Sequence, residues 1–236
     1  MSHQSKSIVY LVPSFLAENA VETIPVYIIN AIKSCTVIFA ENERTARRFL
    51  KSIYKEIIID NYQWFTIHKA EKEVLNVFKE KITEDKNIAI ISEAGCPGIA
   101  DPGQILINTA QQMNVTVKPL VGPSSILLAL MASGMNGQQF QFVGYLPIDN
   151  NDKAIKIKEL EEESRKKNCT QIFIETPYRN NQLLESILKT CRSSTQLCIA
   201  ADLTSPNEFI KTKNVADWRN EKIDLHKRPV IFLLLA

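Results

Sequence analysis

All seven glycines of this sequence, at 95, 98, 103, 122, 134, 137 and 144, fall within one window of residues 95 to 144. Glycine is the residue a backbone needs where φ must be positive or where a ligand must approach the main chain without meeting a Cβ. Two stretches concentrate that freedom, GCPGIADPG at 95 to 103 and VGPSS at 121 to 125. Neither matches the common phosphate-binding patterns, since no glycine is followed by lysine and GxGxxG does not occur. The first stretch also carries two prolines, which lack the N–H donors that cradle phosphates. A ligand of adenosine type fits better, with Glu93 or Asp101 accepting hydrogen bonds from ribose hydroxyls or an ammonium group. The structural alternative is a tight turn between a strand and a helix.

Other reactive side chains are isolated. The five cysteines show no CxxC spacing, so reduced thiols are expected, and Cys96 alone lies within a glycine stretch. His68 ends the apolar run WFTIH with no second histidine or cysteine beside it, and no metal is expected there. In ENERTARRFLKSIYK, Arg44, Arg47, Arg48, Lys51 and Lys55 fall within a stripe of about 100° at the helical period, opposite Phe49, Leu50, Ile53 and Tyr54. Such a stripe is either a solvated helix face or a contact for an anionic partner, RNA or a carboxylated substrate. Glu41 precedes that helix, where a carboxylate complements the helix dipole and is as readily structural as functional.

The elements that must position these groups alternate. SIVYLVP and TVIFA read as buried strands with a helix between them beginning near Pro25, and NIAIISEAG is a continuous apolar run suited to a strand covered on both faces. Alternating strand and helix predicts an α/β fold with a parallel sheet. The first glycine stretch then joins the carboxyl end of a strand to the helix QILINTAQQMN, the place where open α/β sheets bind ligands. VTVKPLV is a further strand, and Ser124 or Ser125 caps the apolar helix that follows. Beyond it QFQFVGYLP, TQIFI, QLCIA and VIFLLLA alternate with the helices DKAIKIKELEEESRKKN and NNQLLESILKTC. A boundary near residues 118 to 122 divides an N-terminal domain, 1–118, from a strand-richer C-terminal domain, 119–236.

With 45% hydrophobic residues and a net charge of +2, the chain can bury a sizeable core and has no overall field to steer it onto nucleic acid or membrane. Neither its opening residues nor its longest apolar runs suit a signal peptide or a membrane span, so a cytoplasmic protein is expected.

SEAGCPGIADPG at 92 to 103 resembles the SDAGTPxxxDPG signature of the tetrapyrrole methylases, S-adenosylmethionine-dependent enzymes whose closest branch by motif includes the ribosomal RNA ribose 2′-O-methyltransferases. In order along the chain, YLVPSF is similar to that family's first strand and loop, FAENERT to AEDTR, PLVGPSS to PxPGPSA, GYLP to GFLP, FIETPYR to FYESPHR and ADLT to RELTK. The resemblance implies a two-domain α/β fold, a parallel-sheet N-terminal domain and a mixed-sheet C-terminal domain with the cofactor cleft between them, and a homodimer. It implies that Ser92, Glu93, Gly95, Ala100, Asp101, Ser124 and Ser125 serve the cofactor loops, with Glu175, Ala201, Pro229 and Val230 closing over the cofactor. Glu41, Arg44, Arg47 and His68 are the substrate-side candidates, and Glu41, His68 and Glu175 the groups able to take a proton from an acceptor.

Four departures bear on the substrate. FLAEN replaces a glycine-bearing first loop, Glu93 stands where the signature has aspartate, ADLTS lacks the arginine and lysine of RELTK, and the sequence ends at its last strand where the RNA-modifying branch commonly extends further. Three functions follow: methylation of RNA ribose, methylation of a tetrapyrrole or other small anionic acceptor, and cofactor binding without catalysis.

Overall fold

A computed structural model describes residues 6–67, 71–100 and 102–236. The chain forms two compact units, Met1–Ser124 and Ser125–Ala236.

The first unit is built on β1 (Ile8–Val12), β2 (Val37–Ala40), β3 (Gln63–Thr66), β4 (Ile88–Ile91) and β5 (Thr116–Pro119), in the order β3-β2-β4-β1-β5. Every pairing is parallel, with Val12 opposite Ile91 and Ala40 opposite the same residue. β2 and β4 are buried at all four positions, as expected of apolar runs covered on both faces. Alternation sends Val12, Ile38, Ala40 and Ile91 into one core with Ile28, Phe49 and Leu50, while Val9, Phe39, Ile88 and Ile90 enter another with Phe78 and Leu106. The helices α1 (Ile28–Lys33), α2 (Glu43–Ile53), α3 (Glu71–Thr83) and α4 (Gln104–Gln112) connect successive strands. The expected helix near Pro25 begins three residues later, at Ile28, after a 3₁₀ turn at Val21–Thr23.

Two adjacent strands send the chain in opposite directions. β1 leads through α1 to β2, beyond β4, and β4 leads through α4 to β5, beyond β1. The carboxyl ends of β1 and β4 therefore flank a topological switch point, where the crevice of an open sheet receives ligands.

In the second unit a mixed sheet has the order β6-β7-β10-β8-β9, from β6 (Phe140–Tyr145), β7 (Thr170–Ile174), β8 (Gln196–Ala201), β9 (Phe209–Asn214) and β10 (Val230–Leu235). β6 pairs parallel with β7 and the other pairings are antiparallel. Helices α5 (Ser125–Ser133), α6 (Asn150–Lys167), α7 (Asn180–Thr190) and α8 (Val215–Trp218) complete it. Asp149 caps α6 by accepting from the Asn151 and Asp152 amides, and Asn168 ends it in the left-handed region. Trp218, fully buried, donates from Nε1 to the Leu197 carbonyl at 2.8 Å and packs with Phe173, Leu183 and Phe232. Register sets Tyr145 opposite Ile174, Ile174 opposite Ile231, and Ala201 opposite both Val230 and Phe209. One end of this sheet thus gathers GYLP, ETPYR, ADLT and RPV. No described helix is long and apolar enough to cross a membrane.

Candidate active site

At the carboxyl edge of the parallel sheet, the loops after β1 and β4 are tied to each other. Ser14 and Gly95 form an antiparallel bridge, the Ser14 amide donating to the Gly95 carbonyl at 2.9 Å and the Gly95 amide returning to Ser14 at 3.3 Å. Ser14 Oγ donates to the Ser92 carbonyl at 2.9 Å, and Ser92 Oγ donates to the Gly95 carbonyl at 2.7 Å. Ser92 is 5% exposed, so its hydroxyl shapes the loop from within. Gly95 adopts φ +75°, and a Cβ there would lie 3.3 Å from Leu16 Cδ2 and 3.5 Å from the Pro123 carbonyl oxygen. Ala100 holds φ +61° despite its Cβ. Positive φ at a residue with a side chain costs roughly 1–2 kcal/mol, so the surrounding loop must enforce it. Gly103, at φ +111°, is the N-cap of α4.

The second loop is fastened to the same place. A Cβ on Gly122 would fall 2.2 Å from Pro13 Cγ, and Cys96 Sγ lies 3.5 Å from the Pro123 carbonyl oxygen. The Val121 amide donates to Tyr27 Oη at 2.7 Å. Ser124 closes the first unit and Ser125 opens α5.

Glu93 projects from the first loop toward the start of α2. Its Oε1 accepts from Thr45 Oγ1 at 3.2 Å and Asn42 Nδ2 at 3.4 Å, and its amide donates to Glu41 Oε2 at 3.3 Å. Asn42 also caps α2 by accepting from the Thr45 amide. Burial pushes the Glu41 carboxyl up, the hydrogen bond from the Glu93 amide opposes this, and the Glu93 charge pushes it up again. The extra methylene of glutamate at 93 is accommodated by these partners on α2.

The basic stripe of α2 is not uniformly available. Arg47 pairs with Glu43 at 2.6 Å and lies over the Trp64 ring at 4.8 Å, while Lys51 Nζ donates to the Ile57 carbonyl at 2.5 Å. Arg44 and Arg48 are exposed. His68 and Asp101 lie outside the described residues.

In the second unit Glu175 follows β7 with its side chain 1% exposed. Oε1 accepts from the Thr176 amide at 2.6 Å and from Arg179 Nη2 at 2.7 Å, whereas Oε2 is buried with no hydrogen-bond partner. Burial raises this carboxyl, but Arg179 and the Thr176 amide outweigh it and hold the group below the usual carboxylate range, with Lys153 contributing. Ala201 and Val230 face the core, and Pro229 accepts from the Asp202 amide through its carbonyl at 3.0 Å. Arg228 Nε donates to Asp202 Oδ2 at 2.5 Å. Asp202 and Thr204 hold φ +51° and +67°, and Thr204 Oγ1 is buried without a partner. Strained backbone and unmet polar atoms mark this sheet end as shaped for more than packing.

Ser14, Thr45, Lys153 and Arg179 stand beside the candidate residues and were passed over by residue-type reasoning. Ser14, Thr45 and Arg179 lie within the quoted motifs YLVPSF, FAENERT and FIETPYR, whereas Lys153 lies in none of them.

The family model described as "Tetrapyrrole (Corrin/Porphyrin) Methylases" matches residues 20–218. Ribosomal RNA small subunit methyltransferase I of Vibrio cholerae is 32% identical over 174 residues, 72% of this chain and 59% of the relative's length, so the match spans less than two thirds of that protein. The protein of the same name from Bacillus subtilis is 31% identical over 227 residues, 94% of this chain and 74% of the relative. Among solved structures, uroporphyrin-III-C-methyltransferase from Thermus thermophilus superposes with a TM-score of 0.57 at 14% identity, covering 98% of this chain and 92% of that one, a likeness of fold. A parallel five-stranded sheet, a mixed five-stranded sheet and the family match over residues 20–218 agree: the chain belongs to the tetrapyrrole (corrin/porphyrin) methylases.

Proposed function

We propose that this chain is an S-adenosylmethionine-dependent methyltransferase whose acceptor is a ribose 2′-hydroxyl of ribosomal RNA. The observation that carries the reading is the loop after β4, in which Gly95, Gly98, Ala100 and Gly103 all take positive φ at the carboxyl edge of the parallel sheet. Such a loop exposes main chain to a ligand, and the exposed carboxylate of Glu93 beside it suits ribose hydroxyls or an ammonium group. The names of the relatives from Vibrio cholerae and Bacillus subtilis support ribosomal RNA of the small subunit as the acceptor, and the motif resemblance supports its ribose hydroxyl.

When bound, the cofactor would supply the methyl group, and the acceptor hydroxyl would give up one proton in exchange. The chain's own work is positioning, because an in-line displacement requires its atoms within roughly 3 to 3.5 Å. The Ser14–Gly95 bridge and the Ser92 hydroxyl fix the loop, and Thr45 with Asn42 fixes Glu93. Glu41, its carboxyl raised and its neighbour Glu93 held by two donors, is the group assigned to take the acceptor proton.

The test is transfer of labelled methyl from S-adenosylmethionine to small-subunit ribosomal RNA, with label expected in alkali-stable dinucleotides. Label found only in a tetrapyrrole or other small-molecule fraction moves the assignment to a small anionic acceptor. Cofactor binding by calorimetry with transfer to neither leaves a binding protein without catalysis, and no binding at millimolar cofactor overturns the whole reading.

A further inference from the structure

A groove of about 710 Å³ opens at the ligand-shaped end of the second sheet. Tyr145, Pro147 and Ile148 form its apolar side, and Lys156, Thr176 and Arg179 its polar side. Tyr145 and Ile148 are 60% and 70% exposed, large apolar surfaces whose adjacency marks a contact site. Two basic side chains line the other side, Lys156 and Arg179. Arg179 pairs with the buried Glu175 at 2.7 Å while its own side chain stays 31% exposed. Lys156, at the rim, pairs with Glu159 at 3.1 Å on the helix surface and also faces Glu163, exposed ion pairs worth little in water.

The groove therefore sets exposed apolar side chains beside two basic ones. An aromatic ring against which a base can stack, next to cations that can meet a phosphate, is the usual equipment of single-strand binding. The groove is open to solvent, whereas a small-molecule site encloses most of its ligand's surface.

Resting on the methyltransferase reading above, we propose that this groove holds one nucleotide of a single-stranded RNA, its base against Tyr145 and Ile148 and its phosphate toward Lys156 and Arg179. The tests use the full chain, a fluorescein-labelled oligoribonucleotide read by anisotropy, and RNA methylation kinetics for Tyr145→Ala and Lys156→Glu. The expected result is a Kd raised about tenfold by Tyr145→Ala, and a log Kd against log salt slope reduced by about one in Lys156→Glu. KM for RNA rises in both, while S-adenosylmethionine binding by calorimetry stays unchanged and shows that the variants are folded. Folded variants with wild-type RNA affinity and KM would overturn the groove and leave the methyltransferase reading standing. A wild-type chain that transfers methyl to no RNA overturns that reading and this inference together. Displacement of the oligonucleotide by a carboxylated porphyrin, in a manner sensitive to Tyr145→Ala, would assign the groove to a small anion and overturn the RNA proposal.

Discussion

Single residues carry much of the site's definition. Gly122 has no room for a Cβ, because Pro13 Cγ and Cβ would lie 2.2 and 2.3 Å away and a proline ring cannot swing aside. Gly122→Ala is expected to destabilise the protein by about 1–3 kcal/mol, the usual cost of overpacking, measured by chemical denaturation. Glu175 predicts a pH effect. Its folded-state carboxyl is held below the usual range, so its contribution is present above the unfolded-state value of about 4.3 and is lost as pH falls through the lower folded value. Glu175→Gln should remove that acid-side slope and lower stability at neutral pH by roughly 1–3 kcal/mol, since Arg179 loses a charged partner. Thermal unfolding from pH 3 to 7 checks both, and parallel slopes in variant and wild type would refute the assignment.

At the scale of elements, α2 separates structural from available charge. Arg47 is engaged with Glu43 and Trp64, so Arg47→Ala should cost about 0.5–1.5 kcal/mol of stability and change RNA affinity little. Arg44→Glu, at an exposed position, should instead weaken RNA binding uniformly across sequences and reduce the salt slope by about one. Titrations at two or more salt concentrations distinguish the pair, and equal effects would show that the stripe acts as one surface. Much of this was legible in advance. The run NIAII gave β4, the basic and apolar faces gave α2, and the glycine stretch gave the strand-to-helix loop. β9 and α8 were not legible, because FIKTKN mixes apolar and charged residues and VADW is only four residues long, and they owe their form to β8 and to the burial of Trp218. The pairing of Glu93 with Thr45 was hidden as well, since it depends on β2 lying beside β4 and not on spacing along the chain.

The whole molecule has separate cores in its two units and one tryptophan in each, Trp64 near α2 and Trp218 within the second core. Unfolding is expected to depart from a single two-state transition, with Trp64→Phe and Trp218→Phe variants, each reporting the remaining tryptophan, giving midpoints that differ in urea. Coincident midpoints would show one cooperative body. The strand order has a further consequence for the growing chain. Among the described strands β1 pairs with β4 and β5, so it is synthesised long before either neighbour, while β2 and β3 already have each other. Ser14 must wait for Ser92, 78 residues later, before its hydroxyl has an acceptor. An emerging polypeptide therefore presents IVYLV as unpaired apolar strand for most of the first unit's synthesis, a segment that invites chaperone contact or mispairing. The carboxyl edge of the parallel sheet closes late, and a ribosome-bound chain arrested before β4 should be unable to form it.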